Sequence, residues 1–227
     1  MYFSRLLDSY QRKQLYAFLC LCLFGMTYFV IYHSEFGLLP QYTFQYIDLN
    51  LNGFLVPASV ITALDPFYCL IIGIIFSVLW VRLDQKNLNP HLPTKFSLGI
   101  TISSIGYLVL ALLIFTHLTQ SFSVLWLLIV FALFVTGELL VMPIGIAMVG
   151  RLAPEGKEGL LMGVWTLMQG GAALVTGYIA HFTVVPKGVS LQDGNHQYLQ
   201  VFLISGLMIL AIGIIMFISK KMINKLI

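Results

Sequence analysis

The apolar run from Ser123 to Val149 constrains the fold of this chain more than any other stretch. It exceeds the roughly 20 residues that cross a bilayer, yet it carries a carboxylate, Glu138, and a proline, Pro143. A charge at that depth costs on the order of 2.5–3.5 kcal/mol on insertion scales. Pro143 also frees the carbonyl of Leu139, and irregular backbone at membrane depth is tolerated only inside protein or beside a water-filled cavity. We therefore predict a helix whose Glu138 faces a functional cavity; the alternative is a protonated Glu138 hydrogen-bonded to a neighbouring helix.

The composition places the rest of the chain in the membrane as well. Of the 227 residues, 59% are hydrophobic and 9% are charged, whereas about 25% of a soluble domain is charged. Six apolar runs are long enough to span a bilayer, so we predict an all-α membrane protein with six transmembrane helices. The predicted spans cover about 15–47, 55–81, 96–115, 123–149, 160–183 and 199–218. The first run is too long for a cleavable signal peptide and is interpreted as an anchor.

The basic residues are distributed unevenly between the two sides of the predicted bundle. With six crossings, eleven of the 12 Lys and Arg residues lie on the side of the two termini, and Lys187 alone lies on the other. This bias predicts that both termini are cytoplasmic. We expect the membrane to be a bacterial inner (plasma) membrane. We divide the chain into a cytoplasmic segment, 1–14, a transmembrane bundle, 15–219, and a basic cytoplasmic tail, 220–227. An irregular outer loop is expected at 184–198.

Three acidic residues, Glu35, Asp65 and Glu138, fall within or next to predicted spans. No Lys or Arg lies firmly inside a span to neutralise them. A carboxyl group in a medium of low dielectric can exchange a proton for another cation, and its ionised form attracts an ammonium group. We therefore predict a proton-coupled site with Glu138 as the proton-coupling candidate. For Asp65, the alternative is that it caps a helix that starts again at Pro66.

The remaining reactive residue types favour structural roles. The three cysteines lie in apolar runs without the spacing of a zinc or redox motif, so we interpret Cys20, Cys22 and Cys69 as packing residues. The sequence has no nucleophile–base arrangement, metal-ligand cluster, phosphate loop or concentrated basic patch. We therefore predict no enzyme activity, no cofactor, no metal site and no nucleic-acid partner.

Small residues and a tryptophan mark the fifth predicted span. Gly159 and Gly163 form a G-x-x-x-G pair, and Gly170 is followed by a second glycine, Gly171. Such residues are expected where two helices approach closely. Trp165 lies between these glycines, and it is interpreted either as an anchor at the membrane interface or as a residue that lines a cavity.

The first and fourth spans share a pattern that indicates internal symmetry. Each contains a proline, Pro40 or Pro143, with an acid nearby, Glu35 or Glu138. Paired broken helices are the usual sign of a binding site at the midplane of a transporter. The pattern predicts two inverted three-helix repeats in which these helices are equivalent.

Several stretches together resemble the proton-dependent oligopeptide transporter family of the major facilitator superfamily. The most specific combination joins Gly137-Glu138-Leu139-Leu140 to Trp165. Other similar stretches follow the family order over nearly the whole chain. They are Tyr28-Phe29-Val30-Ile31-Tyr32, Ala63-Leu64-Asp65-Pro66, Lys95-Phe96-x-Leu98-Gly99, Pro143-x-Gly145-x-Ala147-Met148, Leu152-Ala153-Pro154 and Met162-Gly163-x-Trp165.

The resemblance implies roles that the residues alone do not. The family has twelve helices, and this chain resembles helices seven to twelve, one half of the bundle. Glu138 is implied to receive the amino terminus of the peptide, and Trp165 to line the peptide pocket. Three positions depart from the family pattern: Asp65 stands in place of a common asparagine, Ser34 in place of a glutamine, and Met142 in place of a serine. Asp65 and Ser34 are kept as substrate-binding candidates.

Three functional hypotheses follow from this resemblance. The leading one is a proton-coupled transporter of di- and tripeptides that works with a second six-helix unit. That unit is either a separate N-terminal half, with the family's E-x-x-E-R motif and its basic residues for the peptide carboxylate, or a second copy. The second hypothesis is a truncated copy without transport activity. The third is a non-transporting membrane scaffold. The expected partners are the lipid bilayer, small peptides and protons.

Overall fold

The structure is a computed structural model that describes residues 8–51, 53–183 and 190–225. Within these residues, six helical segments are long and apolar enough to cross a membrane, which confirms the predicted number of spans. Two short antiparallel strands of two residues each, between the first two spans, and an isolated β-bridge between Asp48 and Ser123 are the additions to the all-α prediction among the described residues. The elements are α1 Ser9–Phe36, α2 Leu38–Tyr46, β1 Asn50–Leu51, β2 Phe54–Leu55, α3 Ala58–Thr62, α4 Leu64–Gln85, α5 Leu92–Thr116, a 3-10 turn Val124–Trp126, α6 Leu127–Leu152, α7 Glu158–His181 and α8 Leu191–Asn224.

The two predicted helix breaks are placed differently in the structure. The first span is interrupted at Gly37, whereas Pro40 lies in the first turn of α2, where a missing N–H disrupts no helical hydrogen bond. Pro143 lies inside α6, which continues without interruption from Leu127 to Leu152. The predicted pair of broken helices is therefore wrong, and the inverted repeat stays a prediction.

The second span begins later than expected, and Asp65 is not its cap. A short helix, α3, ends at Thr62, and α4 begins at Leu64 with Ala63 at the N-cap position. Asp65 lies in the first turn of α4 and makes no capping hydrogen bond. A carboxylate in the first turn is still favoured by the helix dipole. The side chain is thus free for other interactions.

The last helix is longer than the sequence pattern suggested. Helix α8 begins at Leu191, where the hydroxyl of Ser190 accepts a hydrogen bond from the backbone N–H of Asp193 at 3.1 Å. Residues 191–198 are therefore helical, and the predicted irregular loop is wrong over that part. The helix continues to Asn224, so 220–224 are helical as well. Arg5 and Lys187 of the charge pattern lie outside the described residues.

The core lies between α1, α5, α6 and α8. Helix α5 packs along both α6 and α8, and α1 contacts α5, α6 and α7. The α5–α6 contact is close because it is made by glycines: a Cβ on Gly99 would lie 2.9 Å from the carbonyl oxygen of Gly137. Aromatic side chains fill much of the core. The large, fully buried ones include Tyr28, Phe96, Phe131, Trp165, Tyr198 and Phe202.

Helices α4 and α7 leave most of their surface uncovered. No residue of α4 is buried, and α7 buries four residues. The glycines at 159, 163 and 170 have no atom of another helix within 4 Å of the position where a Cβ would lie. Within the described part of the chain, the predicted close contacts therefore do not form at these three glycines, whereas a Cβ on Gly171 would lie 3.4 Å from the Cε atom of Met26 in α1. Contacts of the three glycines with a helix of another molecule stay a prediction. The face they form is open to another molecule.

Candidate functional site

Helices α4 and α6 bring three reactive side chains together. Asp65 and Cys69 are one turn apart on α4, so they lie on the same face of that helix. Glu138 reaches them from the middle of α6. One ligand atom from each of the three residues lies within 4.8 Å of the others, and the Sγ of Cys69 lies 3.9 Å from Oε2 of Glu138. All three side chains are half-buried, so the cluster remains accessible.

A third carboxyl group, that of Glu35, lies close to this cluster. Glu35, in the last turn of α1, is only 3% exposed, and its Oε1 has no hydrogen-bond partner among the described residues. It lies close enough to Asp65 and Glu138 to interact electrostatically with both. The Oδ1 atom of Asp65 is likewise buried without a partner within the described residues. The site therefore offers unsatisfied acceptor oxygens.

The electrostatics of the site favour a positively charged guest. Within the described chain, the charged groups that interact with Glu138 are the carboxyl groups of Asp65 and Glu35, and no cation is among them. A carboxylate oxygen of Asp65 lies within 4.8 Å of one of Glu138, and two carboxyl groups can share a hydrogen bond only when one of them carries a proton. The cluster can thus hold a proton, bind an ammonium group, or supply oxygen and sulfur ligands to a divalent cation.

Trp165 lies in the core rather than on the open face. Its ring is 1% exposed and fills the space between Gly25 and Gly145, where added side-chain atoms would meet the indole. It contacts Phe29 edge-to-face with the ring centroids 5.3 Å apart. Its indole N–H has no partner among the described residues. The position does not match an interfacial anchor, and direct contact between Trp165 and a peptide stays a prediction.

Ser34 is also separate from the carboxyl cluster. Its side chain is 2% exposed and donates a hydrogen bond to the carbonyl oxygen of Val30 at 2.8 Å. The neighbouring residue, Glu35, interacts electrostatically with the cluster, whereas the hydroxyl of Ser34 is hydrogen-bonded within its own helix. Of the four predicted substrate-binding residues, the structure therefore brings together Asp65 and Glu138 and leaves Ser34 and Trp165 in the core.

Cys69 is the residue that the sequence interpretation missed. We assigned it to packing because its apolar neighbours and the lack of a metal motif suggested nothing else. The one available indication was its spacing of four residues from Asp65, which places the two side chains on one helical face. That Glu138 lies opposite this face follows from the packing of α4 on α6.

The six apolar helices and the accessible carboxyl cluster at membrane depth define the chain as an integral membrane protein of the helical-bundle class. Its family is given by comparison with known sequences. The model of the POT family matches residues 1–201, and the chain belongs to this family.

Curated relatives show how much of such a protein the chain represents. It is 29% identical over 224 residues to dipeptide and tripeptide permease B of Salmonella typhimurium, covering 97% of this chain and 46% of the permease. It is 30% identical to the permease B of Aeromonas hydrophila, covering 97% of this chain and 44% of the relative. The chain thus spans about half the length of the curated relatives it matches.

Solved structures share the fold. A peptide transporter POT in complex with sulfate superposes with a TM-score of 0.84 at 20% identity, over 97% of this chain and 42% of the other. A POT family transporter in complex with 5-aminolevulinic acid gives a TM-score of 0.82 at 24% identity, over 95% and 43%. Such low identities establish the architecture of six helices and leave the chemistry of the site to be argued from its residues.

Proposed function

We propose that this chain provides half of a proton-coupled transporter of di- and tripeptides. Membership of the POT family and similarity to dipeptide and tripeptide permeases support the substrate class. The chain matches less than half of each relative, so the proposal includes a second six-helix unit. Alternating access requires two bundles that move against each other around a shared site.

The carboxyl cluster is the observation that carries the proposal. An ionised Glu138 would pair with the ammonium group at the amino terminus of a peptide. Asp65 and Glu35 then remain as further carboxyl groups close to the same point, and one ammonium group cannot neutralise three carboxylates. In a medium of low dielectric, protons neutralise the carboxylates that the ammonium group leaves unpaired. Peptide binding and protonation are therefore linked at this site.

The open surfaces of the bundle are consistent with a second unit. Helices α4 and α7 flank α6, and both present uncovered faces. Along α7 the uncovered face carries Gly159, Gly163, Gly170 and Gly177, and small residues of this kind allow two membrane helices to approach closely. The partner's helices would cover these faces and enclose the half-buried side chain of Glu138.

The proposed orientation has both termini in the cytoplasm. Lys95 at the start of α5 and Arg151 at the end of α6 line one cavity together with Asn224 at the end of α8. The basic ends of these helices therefore lie on one side of the bundle. The positive-inside rule assigns that side to the cytoplasm, and cysteine-accessibility labelling from either side of the membrane would test it.

Uptake of a labelled dipeptide tests the proposed function. The chain is expressed in cells that lack peptide uptake, alone and together with the part of a curated relative that it does not match. We expect pH-driven uptake in the co-expressing cells that falls at least about tenfold in Glu138→Gln. Glu155→Gln removes an exposed acid in the loop after α6 and serves as the control. The proposal fails if uptake is absent in every combination or if Glu138→Gln retains it.

Glu138→Gln and two glycine variants distinguish the transporter from the two alternatives, a truncated inactive copy and a membrane scaffold. A truncated copy without transport activity predicts no uptake with any partner although the complex forms. A scaffold predicts that Glu138→Gln has no phenotype, whereas Gly163→Leu or Gly170→Leu disrupts the complex. Co-purification of the two units in mild detergent is the readout for complex formation.

A further inference from the structure

A second site lies on the other side of the α4–α6 contact. A cavity of about 600 Å³ opens between α4, the turn that follows it, the start of α5 and the end of α6. Its outer part is lined by the cations Lys95 and Arg151 and by the indole of Trp80. Its deeper part, toward the middle of α4 and α6, is lined by apolar groups, among them Phe76, Ile144 and Ala147. We call it the α4–α6 cavity.

The charges of the outer part are complementary to a single negative charge. Lys95 and Arg151 lie close enough to repel each other, and Asp84 is the one acidic side chain in the described lining. Asp84 is engaged by the side-chain amide of Asn89 at 3.1 Å. Two cations and one acid leave a net charge of +1, which a monoanionic phosphodiester would neutralise. An anion between two like charges replaces their repulsion with two attractions.

Two further groups match a lipid headgroup in particular. The Nζ atom of Lys95 lies 3.9 Å from the centroid of the Trp80 ring, and Trp is the residue that membrane proteins place at headgroup level. The Oδ1 atom of Asn89 is buried without a hydrogen-bond partner in the described part of the chain. It can accept a hydrogen bond from a headgroup hydroxyl, such as those of phosphatidylglycerol.

The apolar depth of the cavity distinguishes a lipid from a free anion. A phosphate ion would occupy only the basic mouth and leave the surfaces of Phe76, Ile144 and Ala147 without a guest. A lipid places its phosphate at the mouth and the first methylene groups of an acyl chain in van der Waals contact with those side chains. Basic pockets between transmembrane helices on the cytoplasmic side are known to hold anionic headgroups.

We propose that the α4–α6 cavity binds an anionic phospholipid, with the phosphate between Lys95 and Arg151 and the acyl chain against Phe76, Ile144 and Ala147. The site is separate from the carboxyl cluster and does not depend on transport. Occupied by a lipid, it would link the beginning of α5 to the ends of α4 and α6.

Quenching of Trp80 fluorescence by brominated lipids tests the proposal. The purified chain is reconstituted in phosphatidylcholine vesicles that contain increasing fractions of dibrominated phosphatidylglycerol or dibrominated phosphatidylcholine. A Trp80→Phe variant supplies the background from the other two tryptophans. We expect half-maximal quenching at a fraction of the glycerol lipid about tenfold lower than that of the choline lipid. Equal quenching by the two lipids would overturn the proposal.

Matched variants identify which part of the chain is responsible. Lys95→Gln combined with Arg151→Gln is expected to remove the preference for the anionic lipid. Arg82→Gln combined with Lys86→Gln makes the same change of charge at exposed positions of the same end, outside the cavity lining, and should retain it. An equal loss of the lipid preference in both double variants would mean that anionic lipids are attracted to the basic surface as a whole. That result would overturn the proposed site. If the first double variant does not fold, Asn89→Ala and Lys95→Gln are measured singly in its place, and an unchanged lipid preference in both contradicts the proposal.

A third arm separates a lipid from a free phosphate. Ala147→Phe fills the apolar depth without altering any charge, and we expect it to weaken binding of the anionic lipid severalfold. Inorganic phosphate at millimolar concentration should not relieve the quenching. Relief by phosphate together with an unaffected Ala147→Phe would indicate a site for a free anion and would overturn the lipid assignment.

Discussion

Helices α5 and α4 lie next to α6 on different sides, and they differ in almost every physical respect. Helix α5 buries about half of its residues against α6 and α8, and glycines bring its backbone against that of α6. Helix α4 has no buried residue, although it is equally apolar. Hydropathy alone therefore does not separate a helix that forms the core from one that faces lipid or another bundle. A helix becomes part of the core when its small residues fit closely against the surface of a neighbouring helix.

The reactive groups follow the same division. The carboxyl cluster and the α4–α6 cavity both lie where the loosely held α4 meets α6, whereas Ser34 and Trp165 lie in the tightly packed part. Loose contacts leave room for a guest, and tight contacts do not. The comparison teaches that substitutions in the two regions should affect different properties, and four predictions test this.

The largest effect on stability is expected at Trp165. Replacing this buried ring with alanine leaves a cavity between α1, α5, α6 and α7, and such changes typically remove about 3–5 kcal/mol. We expect Trp165→Ala to lower the melting temperature in detergent strongly, and Trp165→Phe to lower it less. If Trp165→Ala melts like the unaltered chain, the ring does not belong to the core.

A smaller loss is expected at the glycine that receives this ring. A side chain at Gly145 would overlap the indole of Trp165, and overpacking of a core typically costs about 1–3 kcal/mol. Gly145→Leu should therefore destabilise the chain in a thermal-shift measurement. Gly163→Leu is the matched control on the open face of α7 and should leave the melting temperature of the isolated chain unchanged. Equal losses at the two positions would contradict the division into packed and open regions.

Glu138→Gln should abolish transport and leave stability unchanged, whereas Trp165→Ala should lower stability. It removes one of two neighbouring carboxyl groups from a site without a cation among the described residues, so the melting temperature should stay the same or rise, by no more than about 1 kcal/mol of stability. Transport in the complex should be lost. A strong drop in melting temperature would mean that Glu138 serves packing, as in the alternative in which it is hydrogen-bonded to a neighbouring helix.

The smallest effect is expected on the outer face of α7. Leu174 is 78% exposed, and substitutions at such positions usually change stability by less than about 0.5 kcal/mol. Leu174→Ala should leave the isolated chain unchanged in the same thermal measurement. If it weakens co-purification with the second unit while stability is retained, the open face of α7 is a surface that contacts the second unit.

Particular elements show how far the sequence could predict the fold. The number of spans followed from runs of apolar residues, because every span must satisfy its backbone hydrogen bonds internally and cover about 30 Å of hydrocarbon. The breaks were less predictable. Gly37 interrupts the first span and Pro143 does not interrupt the fourth, because the effect of such a residue depends on which groups surround the freed backbone.

The candidate site was predicted only in part, for the same reason. Glu138 and Asp65 were indicated by the energetic cost of an acid at membrane depth, which is a property of the residue and its neighbours in sequence. Cys69 was missed because its relevance depends on a residue from another helix. Trp165 was predicted to lie at an interface or a cavity, but Gly25 and Gly145 on two other helices provide the space that buries its ring.

The sequence by itself determined that this chain is a six-span membrane bundle of the POT family with acids at membrane depth, because apolar length, composition and motif order are local properties of the chain. Only the tertiary structure decided which acids meet, which glycines are covered and where the cavities lie. Those features depend on contacts between helices far apart in sequence, and many apolar surfaces could make such contacts equally well. The choice among them is made by the fit of side-chain shapes, which no single segment contains.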